Sequence, residues 1–271
     1  MCRCSLIHGG IPRIAALRFT TEGTEGTEGF VPSVASVVKN SLVAVRKRVR
    51  EFADKDRAKF LLRFFKTAPG DYGHGDRFLG LRVPDVRKIA REFRSLSLDD
   101  IRALLASKWH EERLLALVIL ADQFAGASDS ERKQIYRLYL ASTDRINNWD
   151  LVDASAPQIV GTFLAERDRR PLYRLARSKK LWERRIAIIA TQHFIRRGEL
   201  DDTFAIAQML LADEHNLIHK AAGWMLREAG KRDRISLERF LDEFASRMPR
   251  TMLRYAIERL PNDLRAKYMA A

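Results

Sequence analysis

Tryptophan, aspartate and arginine recur in this chain at helical spacing, and together they could act on a sugar. In Trp149-Asp150-Leu151-Val152-Asp153 an indole stands four residues before a carboxylate, so a helix puts Trp149 and Asp153 on one face. Arg185, Lys220 and Trp224 follow at intervals that could bring them beside that face. A carboxylate set among arginines can stabilise positive charge developing on a deoxyribose, or orient a water against it. The competing use of Asp153 is an ordinary buried ion pair, and sequence alone leaves both open. Asp150, just after the helix start marked by Asn147-Asn148, is expected only to complement the helix dipole. Indole rings offer flat apolar faces to sugars and bases, with core packing as the alternative for Trp149 and Trp224. Trp109 and Trp182 are expected in the core or at helix starts.

Helices must position these residues. Prolines are absent between Pro84 and Pro157 and between Pro171 and Pro249, and apolar residues there recur at three- and four-residue steps, as in Leu114, Leu117, Val118, Ala121 and Phe124. Hairpin signatures are missing. Five segments, at 111–120, 148–157, 183–192, 218–227 and 252–260, align with Arg113, Trp149, Arg185, Lys220 and Arg254 in register, at steps of 36, 36, 35 and 34. Second amphipathic helices are expected between them at 130–140, 170–178, 201–211 and 236–245. A two-helix unit at such a period predicts an all-α chain, an α-solenoid of HEAT-like antiparallel pairs forming a single domain over 35–271. Equivalent faces stack in a solenoid, so Trp149, Asp153, Arg185, Lys220 and Trp224 are expected on one strip of surface.

The 271 residues carry a formal net charge of +14, from 49 Lys and Arg against 35 Asp and Glu. Residues 1–34 contribute none of it, because Arg3, Arg13 and Arg18 are balanced by Glu22, Glu25 and Glu28. So basic a surface attracts polyanions by releasing their condensed counterions. The densest stretch, 167–185, holds nine Lys and Arg with a net +7 and leads into the Arg185 helix. The longest apolar run, Leu114 to Ala121, is far short of the roughly 20 residues a membrane span requires. The only cysteines, Cys2 and Cys4, cannot staple a fold, so the chain reads as cytoplasmic. With the run Thr21 to Gly29 (TEGTEGTEG), they place residues 1–34 in a poorly ordered extension.

Other signals are weaker. His215 and His219 have the i, i+4 spacing of helical metal ligands, but no glutamate or third ligand accompanies them, so no metal and no cofactor is expected. The glycine-rich stretch GDYGHGDRFLG matches no nucleotide-binding loop and reads as a connection between helices.

Four motifs in order resemble the AlkD-like DNA alkylation-repair glycosylases: Phe78 to Pro84 (FLGLRVP), Trp149 to Asp153 (WDLVD), Trp182 to Ala187 (WERRIA) and Lys220 to Glu228 (KAAGWMLRE). The resemblance runs from about Lys55 to Pro261. It implies a HEAT-like solenoid whose concave face holds duplex DNA. It further implies hydrolysis of the N-glycosidic bond of cationic purines, such as 3-methyladenine and 7-methylguanine, without base flipping. The family's catalytic aspartate falls on Asp153, its sugar-contacting tryptophans on Trp149 and Trp224, and its arginine on Arg185. Phosphate contact is expected from Lys220, Arg113, Arg177, Lys179, Lys180, Arg184 and Arg227. The implied partner is double-stranded DNA carrying alkylated purines, bound by a monomer. The glycine-rich stretch is longer than in the best-known members, and Phe64 stands near where those place a DNA-contacting tyrosine. The alternative is a non-catalytic helical scaffold for branched DNA or an acidic protein.

Overall fold

A computed structural model describes residues 41–270. The expected extension over 1–34, with Cys2, Cys4 and the Thr21 to Gly29 run, lies outside the described residues. The described chain is all-α. Its only β pairing is an isolated bridge between Arg77 and Trp109.

The order is α1 (Leu42–Glu51), α2 (Lys55–Phe64), α3 (Val83–Glu92), α4 (Leu98–Leu105), α5 (His110–Gly126), α6 (Asp129–Ala141) and α7 (Trp149–Asp153). A π-helical turn, Pro157–Gly161, then leads into the short α8 (Thr162–Leu164). There follow α9 (Arg170–Ala176), α10 (Leu181–Ala190), α11 (Gln192–Arg197), α12 (Asp201–Met209), α13 (Asn216–Gly230), α14 (Arg234–Phe244), α15 (Arg250–Ala256) and α16 (Asn262–Ala270).

The five register positions fall on α5, α7, α10, α13 and α15, and each of these helices packs on the next. The second helices α6, α9, α12 and α14 alternate with them, as in an α-solenoid. Local sequence sets the starts: Ser128 and Glu131 form a reciprocal capping box on α6, while Asp54 and Asp233 cap α2 and α14. Two of the aligned segments outrun their helices, α10 ending at Ala190 and α15 at Ala256, and a third breaks earlier still. The helix expected over 148–157 ends at Asp153, because Pro157 has no N–H to give the Asp153 carbonyl and its ring would collide with it.

α5 is the central element, buried almost all round, with Leu117 and Ile119 wholly inaccessible. Leu117→Ala would cost about 2–5 kcal/mol in lost transfer energy and cavity. Even its first turn is covered. Glu111 accepts the backbone N–H groups of Leu79 (2.9 Å), Gly80 (2.7 Å) and Leu81 (3.3 Å), and Glu112 accepts from Arg46 and Arg50. The FLGLRVP motif is thus a backbone bend wrapped on a buried carboxylate. Gly80, at φ +90°, is required there, since a Cβ would lie 2.0 Å from the Asp54 carbonyl oxygen.

Candidate functional site

α7 carries Trp149 at its first residue and Asp153 at its last. Arg185, from α10, reaches Asp153 with both prongs, Nε to Oδ1 at 2.9 Å and Nη2 to Oδ2 at 2.8 Å. Its remaining nitrogen donates to the Leu217 carbonyl at 2.6 Å, so one guanidinium joins α7, α10 and the first turn of α13. Arg185 is 6% exposed and the Asp153 side chain 18% exposed, which leaves part of that side chain open to solvent. Burial pushes the Asp153 carboxyl above the ordinary aspartate range, Arg185 pulls against that rise, and Asp150 adds to it.

Trp149 is half-buried within an aromatic column. Phe65 stacks on it at 5.4 Å, and Phe64 meets it edge-on at 6.0 Å. Phe65 in turn stacks on Phe78, and both rings lie against His110. Phe64 is 48% exposed and stacks on the equally open Phe60, so an apolar edge of α2 adjoins the indole. Tyr72 from the glycine-rich loop meets Trp182 edge-on at 6.0 Å. Burial raises the Tyr72 hydroxyl, opposed by the hydrogen-bonding indole of Trp149.

Beneath this surface lies a buried polar network. His110 meets Asp150 through Nε2 (2.7 Å) and Asp76 through Nδ1 (3.2 Å). Burial acts to lower the His110 pKa, but the charge and hydrogen bonds of the two carboxylates outweigh it, and the imidazole is pushed up to about 9. Protonated, it can donate to both carboxylates and present its charge to the faces of Phe65 and Phe78. Burial would raise Asp76, yet His110, Arg113 and Asn148 together hold it below the usual range.

The structure therefore brings Trp149, Asp153 and Arg185 to one place. Lys220, half-buried, lies in the turn of α13 after Leu217 and has no ion-pair partner among the described residues. Trp224 lies one turn further, half-buried against the core. Arg113 is not at the surface. It is 3% exposed, donating to Asp76 at 2.6 Å and the Ser107 carbonyl at 2.9 Å, so no phosphate can meet it in this conformation. The glycine-rich loop covers it. Arg184 is held by Asp213, Lys180 by Asp144, and Arg227 by Glu228 and Glu258. Arg177 and Lys179 are exposed with no carboxylate partner among the described residues, as is Arg174. Of the basic run, those three stay available, while Arg167, Arg169, Arg170, Lys180, Arg184 and Arg185 each meet a carboxylate.

Trp109 and Trp182 do sit at helix starts, before α5 and second in α10. Asp150 differs from the expectation. It accepts the Leu151 N–H within the first turn, as a dipole-complementing residue can, but it also anchors His110. His215 and His219 spend ring nitrogens on the start of α13, accepting from Leu217 and meeting the Asp213 carbonyl. No cluster fit to hold a metal occurs among the described residues.

The sequence profile described as DNA alkylation repair enzyme matches residues 45–260, a span holding every element of the site. The chain belongs to that family. A solved structure titled "Predicted DNA alkylation repair enzyme from Enterococcus faecalis" superposes with a TM-score of 0.62 at 18% identity. The match covers 78% of this chain and 97% of that one, a likeness of fold. No curated protein matches the chain. No helix among the described residues is long and apolar enough to cross a membrane.

Proposed function

We propose that this protein is a DNA glycosylase that excises cationic alkylated purines, such as 3-methyladenine and 7-methylguanine, from duplex DNA. The observation that carries the reading is Asp153, fixed by Arg185 and partly open to solvent on the same short helix as Trp149. An N-alkylated purine already carries positive charge and leaves readily, so little general-acid help is needed. The demand falls on the sugar, where the breaking N-glycosidic bond leaves oxocarbenium character. A fixed carboxylate there stabilises the transition state more than the ground state. Arg185 uses one lone pair of each Asp153 oxygen and leaves the others for the sugar or an attacking water. Trp149 and Trp224 supply flat surfaces against deoxyribose, with Phe64 extending the first of them. Lys220, Arg177 and Lys179 meet phosphates. As in the glycosylases it resembles, the base need not leave the stack, since the group that matters acts on the sugar.

One observation favours a non-catalytic scaffold for branched DNA or an acidic partner: both Asp153 oxygens are engaged by Arg185, as in a structural ion pair. Free-base release separates the readings. Incubated with methylated duplex DNA, the protein should release 3-methyladenine and 7-methylguanine above the spontaneous rate. Tight DNA binding with release at the spontaneous rate would overturn the glycosylase reading.

A further inference from the structure

α7 is held by little of its own beyond the burial of Leu151 and Val152. It has five residues, a length at which an isolated helix has no stability of its own, and Pro157 prevents its extension. Yet it carries both Trp149 and Asp153. Arg185 grips its far end and the wholly buried Leu151 and Val152 anchor its middle, which leaves the Asn147–Asn148 turn at its near end to be fixed.

Asp76 lies there. It belongs to the glycine-rich loop, 71 and 72 residues before the two asparagines that begin α7, and is 7% exposed. Four side chains converge on its carboxylate. Arg113 gives Oδ1 2.6 Å and Asn147 gives it 3.2 Å, while His110 and Asn148 meet Oδ2 at 3.2 and 3.3 Å. Two of these donors form the turn that opens α7, and Asn148 also accepts the Trp149 N–H at 2.8 Å. The third, His110, continues to Asp150 inside α7 at 2.7 Å.

The loop is built to deliver this group. Gly73 packs where a Cβ would lie 2.5 Å from the Phe65 carbonyl oxygen, and Gly75, immediately before Asp76, has φ +87°. The neighbouring Arg77 carbonyl accepts the His110 N–H at 2.8 Å, which clamps the loop to the start of α5. If Asp76 served only to balance Arg113, no donor from the α7 turn would be needed. Instead its bonds divide between α5 and α7.

We propose that Asp76 is a positioning residue for excision: through Asn147, Asn148 and the His110–Asp150 bridge it fixes the start of α7, and so sets where Trp149 and Asp153 stand relative to the sugar. The inference rests on the glycosylase reading for its consequence in rate, but not for its consequence in structure. A displacement of about 1 Å at a reacting group can cost on the order of a hundredfold in rate.

The test uses the full chain with Asp76→Asn and Asn148→Ser. Serine still caps a helix but has no amide to donate to Asp76, so Asn148→Ser carries the test if Asp76→Asn does not fold. Two readouts are taken. The first is single-turnover release of 7-methylguanine from a duplex oligonucleotide, separated into the rate at saturating protein and the half-saturating concentration. The second is amide hydrogen exchange over residues 147–155. The saturating rate should fall tenfold to a hundredfold, on the order expected for misplacement, with half-saturation little changed. Exchange over 147–155 should quicken while α13 is unaffected. Unchanged exchange over 147–155, or an unchanged saturating rate in a variant whose α7 has loosened, would overturn the proposal. A parent protein that releases no base would sink the glycosylase reading alone, and exchange would then decide whether Asp76 holds α7.

Discussion

Arg185 holds both carboxylate oxygens of Asp153, at 2.9 and 2.8 Å, and the pair bridges α7 and α10 where the register of the repeat brings those helices together. Planar two-pronged pairing fixes the carboxylate in angle as well as distance, which a lysine could not do.

Removing Arg185 should therefore cost more than removing the charge of Asp153. Arg185→Ala leaves a largely buried carboxylate without its counter-charge, a loss of about 3–5 kcal/mol. Asp153→Asn keeps the shape and an acceptor for Arg185, so its loss should be clearly smaller. Urea unfolding of both variants checks the order, and equal losses would mean that the pair contributes through its charge, with the retained shape of asparagine supplying nothing.

The buried histidine predicts a pH dependence of stability. His110 is pushed from an ordinary 6.5 up to about 9 in the folded protein, so folding favours its protonated form. The stabilisation is fully present below pH 6.5 and is lost as the pH rises through about 9. Unfolding free energy should fall across that window in the parent and fall less in His110→Gln. Parallel curves for the two proteins would show that His110 is neutral in the fold.

Asp150→Asn should destabilise the protein by about 1–3 kcal/mol, well beyond a helix-dipole effect, because it strips a buried imidazolium of one partner. Thermal unfolding measures this. A loss of only a few tenths would mean that the His110 bridge carries little.

Phosphate contact should be divided unequally along the basic run. Arg177 and Lys179 have no carboxylate partner among the described residues, whereas Lys180 pairs with Asp144. In titrations of duplex DNA against salt, Arg177→Glu and Lys179→Glu should each shallow the log–log slope by about 1. Lys180→Glu should change it less. Equal effects would show that Lys180 leaves Asp144 when DNA binds.

The repeat was readable because a helix imposes its own period. Trp149 and Asp153 share a face by spacing alone, and a constant step between helices brings Arg185 beside them. Depth was not readable in this way. Arg113 occupies the same register position as Arg185, but whether it meets solvent depends on the loop around Asp76, which folds over α5 from 37 residues away. Asp76, Tyr72 and His110 left no periodic signal. Their meeting depends on backbone turns at glycines and on contacts distant in sequence. The spacing of Gly70, Gly73 and Gly75 marked an irregular path without showing where its acid would go. The break after Asp153 did have a local cause in Pro157, four residues on, which the aligned 148–157 segment passed over.

In the proposed reaction the charge of Asp153 drives excision, and release of 7-methylguanine by Asp153→Asn is the decisive measurement. The substitution keeps the outline of the side chain and removes its charge, so DNA affinity should survive. Loss of one fixed electrostatic stabiliser costs about 3–4 kcal/mol in the transition state, a fall of about 10²–10³ in rate. Trp149→Ala and Trp224→Ala, measured beside it, should weaken binding as well as rate. Release by Asp153→Asn at the rate of the parent protein, with DNA binding intact, would show that the Asp153 charge does not drive excision.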